Sequence, residues 1–569
     1  MNNNGKTKKN TVMKRKNLLW MIAAALTCVL ASMTLTACSD DDDNNDAHEG
    51  QPLYDVANIQ VIDSGRISIT DFYQRLIQSA TEGNADEDEM LTEFYQQQLA
   101  GIKAYEQYIR DSLANVSGAN GSEGADTDGK SMTYSYEWTT IRYTTTDVDG
   151  NNIECSELLV WPYNAVCNPN PDHVVIGCHC TITSNFERPS NFSNLGHKND
   201  VNMLACFANP VSQEALVIVP DYQGYGATHG DSHPYCNREV TARQVIDGVK
   251  AGITYFEKYE KKLEKDWKSV AVGYSQGGAV AAGVLRYAQE HGLSDLRLAG
   301  AVCGDGPYDP VATLKQYIQD DRLYMPVAAA LLLKGAVDTN PRMRELGCRY
   351  EDFCTKDYVD TGIFTWLKDK EMTTDDIQQR LIQIGCDPLD FYEYRGNFFM
   401  YVWSKAKEGF YPFTKDFNKT EYDFDRSSDK ALSFCKVGQC FKQGVIDYFK
   451  EGKVGGDVPT EKLKALEQCL KENQLYYSWK PSKDSGFTFF HSTKGEVVPV
   501  CNAEAVDAAW SAGASDLPFA YYKYDNKRTY YHVATGSAFY VSYCGSKVND
   551  ILKGKWKGGR HTEKGGITY

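Results

Sequence analysis

The stretch Val270-Ala271-Val272-Gly273-Tyr274-Ser275-Gln276-Gly277-Gly278 carries the end of one element, a turn and the start of another. Val270 to Val272 form a short, continuous apolar run, which fits a strand buried on both faces. From Gly278 to Tyr287 the residues are mostly small and read as a helix. A sharp strand-to-helix turn at Gly-x-Ser-x-Gly strains the backbone of the Ser and lifts its hydroxyl above the sheet, while the flanking glycines let the two elements approach. The helix N-terminus adds a positive partial charge where an oxyanion would develop. Ser275 is therefore the candidate nucleophile.

Working outward, His173 to Gly177, Ala215 to Val219, Ser269 to Gly273, Leu298 to Val302 and Phe487 to Phe490 are short runs rich in Val, Ile, Ala or Phe. Helical patterns at Ala242 to Tyr259 and Gly277 to Glu290 separate some of them, as in a doubly wound, mostly parallel α/β sheet. Thr133 to Thr145 and Cys155 to Trp161, joined by Asp147-Val148-Asp149-Gly150-Asn151, predict an antiparallel hairpin that opens this core. Between 310 and 480 the alternation stops, and a helix-like insertion rich in Tyr, Phe and Lys predicts a cap over the carboxyl edge of the sheet. Ahead of the hairpin, Leu91, Phe94, Tyr95, Leu99, Ile102, Tyr105 and Ile109 recur at helical spacing. The expected organisation is thus a leader (1–37), an acidic tether (38–66), a helical lead-in and loop (67–130), a core in two parts (131–309 and 481–569) and the cap (310–480).

A Ser hydroxyl attacks only when a base takes its proton. On such a sheet the base follows the nucleophile, which leaves His291, His491, His532 and His561. His291 ends the helix after the turn, His561 lies in a Lys- and Gly-rich tail, and His491 opens the loop where an acid is expected. His532 follows the strand-like Phe519 to Tyr524 and precedes a helical pattern from Ala538 to Leu552, and it is the expected base. The oxyanion should be held by the amide of Gln276 and by one from the loop His179-Cys180-Thr181, with Cys180 first and Thr181 close behind.

His179-Cys180-Thr181, Val219-Pro220-Asp221-Tyr222-Gln223-Gly224-Tyr225-Gly226, the Ser275 turn, Gly306-Pro307-Tyr308-Asp309 and His532-Val533 stand in the order that resembles α/β-hydrolases of the secretory lipase type, over roughly Thr133 to Lys553. The resemblance implies esterase or lipase activity on small-molecule carboxylic esters, with neither a metal nor an organic cofactor. Two positions depart from it. Similar proteins commonly have Gly where Cys180 stands, and they read His-x-x-x-Asp-x-x-Val-Pro where this chain has His491-Ser492-Thr493-Lys494-Gly495-Glu496-Val497-Val498-Pro499. Gly495 occupies the place of the acid. Glu496, one residue on, is the expected substitute, with Asp484 and Asp525 as weaker candidates. A peptidase or amidase of the same fold, and a surface binding protein that has lost its acid, are the competing expectations.

The composition agrees with a globular chain: hydrophobic residues make up 42% and charged residues 24%. A formal charge of -16 argues against nucleic acid as a partner. Six basic residues from Lys6 to Lys16 precede an apolar run from Leu18 to Ala37, which reads as an export signal. A run of that length also approaches a membrane anchor, but Leu35-Thr36-Ala37-Cys38 resembles a bacterial lipobox, in which Cys38 is the lipidated residue. Ser39-Asp40-Asp41-Asp42-Asp43 then looks like a surface-export tether. The expectation is an outer-membrane lipoprotein held through Cys38 and displayed at the cell surface, with the periplasm as the alternative. Of 17 cysteines, Cys28 falls in the signal and Cys38 takes lipid. The rest are an odd number without C-x-x-C pairing, which signals neither zinc nor a disulfide framework. The sequence leaves the oligomeric state open. Replacing Cys38→Ser should move the protein from the membrane to the soluble fraction; unchanged fractionation would indicate an uncleaved anchor instead.

Overall fold

A computed structural model describes residues 52–82, 96, 99–100, 103, 134–164, 170–194, 215–235, 237–383, 400–404, 407–412, 433–512, 516–525, 532, 535–536 and 539–564. The leader, Cys38 and most of the expected helical lead-in lie outside these residues. Ten strands form one sheet in the order β1-β2-β3-β5-β4-β6-β7-β10-β11-β12. β1 (Ile59–Ser68), β2 (Tyr134–Thr146) and β3 (Asn152–Asn164) run antiparallel, and β3 pairs antiparallel with β5 (Ala215–Pro220). From β5 onward, β4 (His173–Cys178), β6 (Lys268–Tyr274), β7 (Leu298–Gly304), β10 (Gly486–Ser492), β11 (Ala520–Asp525) and β12 (Gly559–Lys564) are all parallel.

The central parallel strands β4, β5, β6 and β7 are mostly apolar because helices cover both faces. Along β4 and β5, Val174, Ile176, Leu216 and Ile218 enter one core with the helices α2 (Arg238–Tyr259) and α3 (Gln276–Glu290). Val175, Val217 and Val219 enter the opposite core, which α1 (Ile69–Glu82) closes with Phe72 and Tyr73. This two-residue alternation fixes the register of the whole sheet. In the β2–β3 turn, Asp147 Oδ1 accepts the amides of Asp149 and Asn151, both at 2.9 Å, and Gly150 takes φ 81°. Only a residue without a Cβ adopts that conformation without strain.

Two expectations at the sheet edges need correction. The tether was expected to run through residue 66, but Ile59–Ser68 is strand β1, paired with β2. His561, expected in a tail, stands in β12 opposite Tyr522 of β11. β1 is exposed along most of its length and β12 is polar in sequence, so neither shows the apolar pattern of a buried strand.

The insertion forms its own core, built around the helices α4 (Pro310–Asp320), α5 (Pro326–Thr339) and α6 (Thr460–Glu472). It also contains a small hairpin, β8 (Tyr401–Ser404) and β9 (Gly409–Pro412). Its two ends meet at a neck, where Leu475 N donates to Tyr308 O at 2.8 Å and Tyr476 Oη donates to Asp309 Oδ2 at 2.6 Å. Asp309 also caps α4, accepting the amide of Ala312 at 2.9 Å. Among the described residues, no helix is long and apolar enough to cross a membrane.

The β6–α3 turn is tightly packed against the main chain of β4 and β7. A Cβ on Gly277 would lie 2.0 Å from Cys178 O and 2.7 Å from His179 O, and one on Gly278 would lie 2.4 Å from Gly304 O. Gly277→Ala should therefore cost about 1–3 kcal/mol in thermal unfolding, whereas Gly230→Ala, with nothing within 4 Å of the new methyl, should leave stability unchanged.

Candidate active site

The turn between β6 and α3 holds Ser275 at φ 57° and ψ -126°, a conformation that costs energy for any residue with a Cβ. It persists because the surroundings dictate it: Ser275 N donates to Gly304 O of β7 at 2.9 Å, and Gly273, Gly277 and Gly278 let β4, β7 and the first turn of α3 close around it. The Ser275 hydroxyl lies 2.7 Å from His532 Nε2, within hydrogen-bond reach of a bare imidazole nitrogen. The pair comes from positions far apart in sequence, with His532 on the connection after β11.

The opposite ring nitrogen faces an unexpected group. His532 Nδ1 lies 3.7 Å from Asp305 Oδ2, and Asp305 is completely buried at the end of β7. Asp305 Oδ1 accepts the amide of Ser492 at 2.7 Å and stands 3.5 Å from His491 Nδ1. The Tyr274 hydroxyl, next to the nucleophile, lies 2.9 Å from Asp305 Oδ2 and 2.6 Å from His532 O, so one phenol braces both the carboxylate and the His main chain. Burial pushes the Asp305 carboxyl up. The charges of His491 and His532 and the Ser492 amide outweigh that, and the group sits below the usual carboxylate range.

Glu496, the acid expected from the sequence, is placed differently. Its two oxygens accept the main-chain N–H of His532, at 3.1 and 3.0 Å, and it makes no contact with the imidazole. Burial pushes its pKa up to about 7, against opposing pulls from His532 and the amides around it. Two neighbouring buried carboxyls thus have their affinities driven apart, and Asp305 is the one held charged. Asp484 lies exposed before the amino end of β10, at the far edge of the sheet, and Asp525 is the last residue of β11. The overlooked signal was Gly304-Asp305-Gly306, a carboxylate between two glycines directly after the strand beside the nucleophile strand.

Gln276 is the first residue of α3, whose leading amides lack intrahelical partners. Its side chain is turned aside: Gln276 Nε2 donates to His233 Nε2 at 2.7 Å, and His233 Nδ1 donates to Gln223 O at 2.8 Å. Burial lowers the His233 pKa to about 3, so the ring is neutral, and these two contacts use its one proton and one lone pair. Cys180 follows β4 beside the same turn, where the carbonyls of Cys178 and His179 press on Gly277. Its loop is tied down by His179 Nδ1 donating to Cys180 O at 2.7 Å, by Tyr222 Oη donating to His179 O at 3.2 Å and by Tyr225 Oη donating to Ile182 O at 2.6 Å.

Above the hydroxyl a cavity opens beneath the cap. Thr181, Tyr235 and Ser275 stand on its core side, and Leu314, Ala329, Leu332, Phe441, Leu466 and Val498 make its walls mostly apolar. Among the described residues, no group of His, Cys, Asp and Glu is arranged to hold a metal ion.

The pH dependence of stability should report Glu496. Its folded-state pKa is raised from 4.5 to about 7, so the folded chain holds a proton that the unfolded chain releases. The resulting stabilisation is present below the unfolded value and is lost as pH rises through about 7. Glu496→Gln cannot ionise, so the melting temperature of the wild type should fall relative to this variant between about pH 5 and pH 8. A constant difference across that range would show that the carboxyl does not titrate there.

The sequence model of the secretory lipase family matches residues 187–364, which span the Ser275 turn and the beginning of the cap. A comparison with curated protein sequences finds no match. Among solved structures, the ligand-bound rice cell wall degrading esterase LipA from Xanthomonas oryzae is 15% identical, with a TM-score of 0.52 over 75% of this chain and 92% of that one. Another structure of the same esterase is 17% identical, with a TM-score of 0.52 over 75% and 93%. Lipase A from Candida antarctica in its closed state is 15% identical, with a TM-score of 0.48 over 76% and 82%. Likeness at such identities shows architecture alone, and with its parallel sheet, sharp Ser275 turn and inserted cap the chain has the α/β-hydrolase fold.

Proposed function

We propose that this chain is a serine hydrolase that cleaves carboxylic esters through an acyl-enzyme. The observation that carries this is the 2.7 Å approach of His532 Nε2 to Ser275 Oγ at the floor of an apolar cavity. In the proposed cycle, Ser275 Oγ attacks the ester carbonyl as His532 Nε2 takes its proton, and the amides of Gln276 and Cys180 hold the oxyanion. Collapse of the tetrahedral intermediate passes that proton to the leaving alcohol. Water, deprotonated by the same imidazole, then releases the acid.

Asp305, rather than Glu496, is the acid in this proposal. It faces Nδ1, is buried and is held charged, which is what orienting an imidazole and stabilising its cation requires. Its 3.7 Å separation is within what a resting site shows before substrate tightens it. Glu496 is a positioning residue that grips the His532 main chain. Because a carboxylate does stand behind the imidazole, the alternative of a scaffold that has lost its acid has no support from the geometry.

The cavity walls favour an apolar acyl group. The secretory lipase match, together with the apolar run ending in Cys38, supports an exported protein anchored by lipid at the outer membrane and facing the outside.

Three results are expected. Ser275→Ala and His532→Ala should each abolish ester hydrolysis and fluorophosphonate labelling; labelling retained in Ser275→Ala would overturn the nucleophile. Asp305→Asn should lower kcat by about ten-thousandfold, while Glu496→Gln should stay within about tenfold of wild type; the reverse order would return the role to Glu496. With p-nitrophenyl esters, kcat/KM should rise about fourfold per added methylene, from roughly 0.8 kcal/mol of burial each, until the cavity is filled. A profile highest at acetate would exclude the apolar cavity as the acyl site.

A further inference from the structure

The cap holds two thiols in contact. Cys435 Sγ and Cys440 Sγ lie 3.4 Å apart, and both residues are completely buried. Rigid main chain on both sides fixes this approach. Cys435 exchanges both hydrogen bonds with Leu323, at 2.9 and 3.0 Å, and Cys440 closes the short helix Val437–Cys440 with its carbonyl accepting the amide of Thr355 at 3.0 Å. The Cys435 sulfur also makes a weak, 3.6 Å contact to Leu323 O.

We propose that Cys435 and Cys440 are joined by a disulfide when the chain folds under oxidising conditions. A bond requires the sulfurs to close from 3.4 Å to about 2.05 Å, a movement that a small χ1 rotation at each residue supplies within the turn. In the reaction one thiolate attacks an external disulfide to give a mixed disulfide, and the second thiol, losing its proton, displaces the external thiol. Two thiols are oxidised, one external disulfide is reduced to two thiols, and the Cys435–Cys440 bond forms. Burial pushes the Cys440 thiol well above its ordinary value, with Cys435 and Cys354 adding to the effect, so exchange belongs to the folding chain before the cap closes. Once formed, the bond is shielded from reductants in solution.

The pairing has a structural consequence for the cavity. Phe441, the next residue, lines its wall, and so does Met325, two residues after the Leu323 that Cys435 is bonded to. The disulfide would tie these two parts of the wall together.

Lys436 makes the test direct. Trypsin cuts after Lys430, Lys436 and Lys442, so Cys435 and Cys440 leave on separate peptides, Ala431 to Lys436 and Val437 to Lys442. Full-length protein is refolded in a buffer of reduced and oxidised glutathione, unfolded in urea with N-ethylmaleimide, digested and analysed by mass spectrometry before and after reduction. The expected result is the two peptides linked, two hydrogens lighter than their sum, and separated by reductant. In Cys435→Ser the Val437 to Lys442 peptide should instead carry the maleimide. Both wild-type peptides carrying maleimide before reduction would overturn the proposal, as would a link from either cysteine to another buried thiol such as Cys354.

Discussion

The close approach of α3 to the carboxyl ends of β4 and β7 is the constraint on which the rest of the site depends. Gly273, Gly277 and Gly278 sit where any Cβ would strike main-chain atoms, and their absence of side chains lets the helix begin directly over the sheet. Ser275 has no room for an ordinary turn, which is why it is held at positive φ. The same packing seats the first turn of α3 against the carbonyls of Cys178 and His179 after β4. Strain at one residue and the placement of that helix are thus consequences of a single steric fact. The energy is supplied by the two apolar cores that clamp the parallel strands from either side.

Behind the imidazole, the distribution of charge follows from where each carboxyl is solvated by protein. Asp305 receives an amide and faces two histidines and a phenol, so its charged form is stabilised despite complete burial. Glu496 meets the His532 amide but feels the neighbouring Asp305 charge as repulsion. Gly495 fits between them: a Cβ there would come within 3.7 Å of Asp305 Oδ2.

How much of this was legible in the sequence varied with the physics of each element. The parallel strands were readable because burial on both faces demands unbroken apolar runs, and the Ser275 turn because sterics demand its glycines. His532 could be reached by chain order and by the elements around it. Asp305 could not, since what makes it the partner of His532 is the proximity of the ends of β7 and β10 and the loop after β11, a relation with no spacing rule. The edge strands β1 and β12 were missed for a different reason. Gln60, Asp63, Ser64 and Arg66 in β1, and Arg560 in β12, are exposed, and a strand whose side chains are mostly turned to solvent leaves little apolar pattern in its sequence.

The neck of the cap has a wider meaning. Because Tyr308 and Asp309 on the way in touch Leu475 and Tyr476 on the way out, the insertion closes on itself at its base, and its further bonds, from Lys370, Asp338 and Arg344, go to loops of the core rather than to the groups around Ser275. A segment anchored in this way behaves as an interchangeable module: its length and lining can change over evolutionary time while the groups around Ser275 keep their places. The choice of what enters the cavity and the chemistry done on it are, in this architecture, separately heritable.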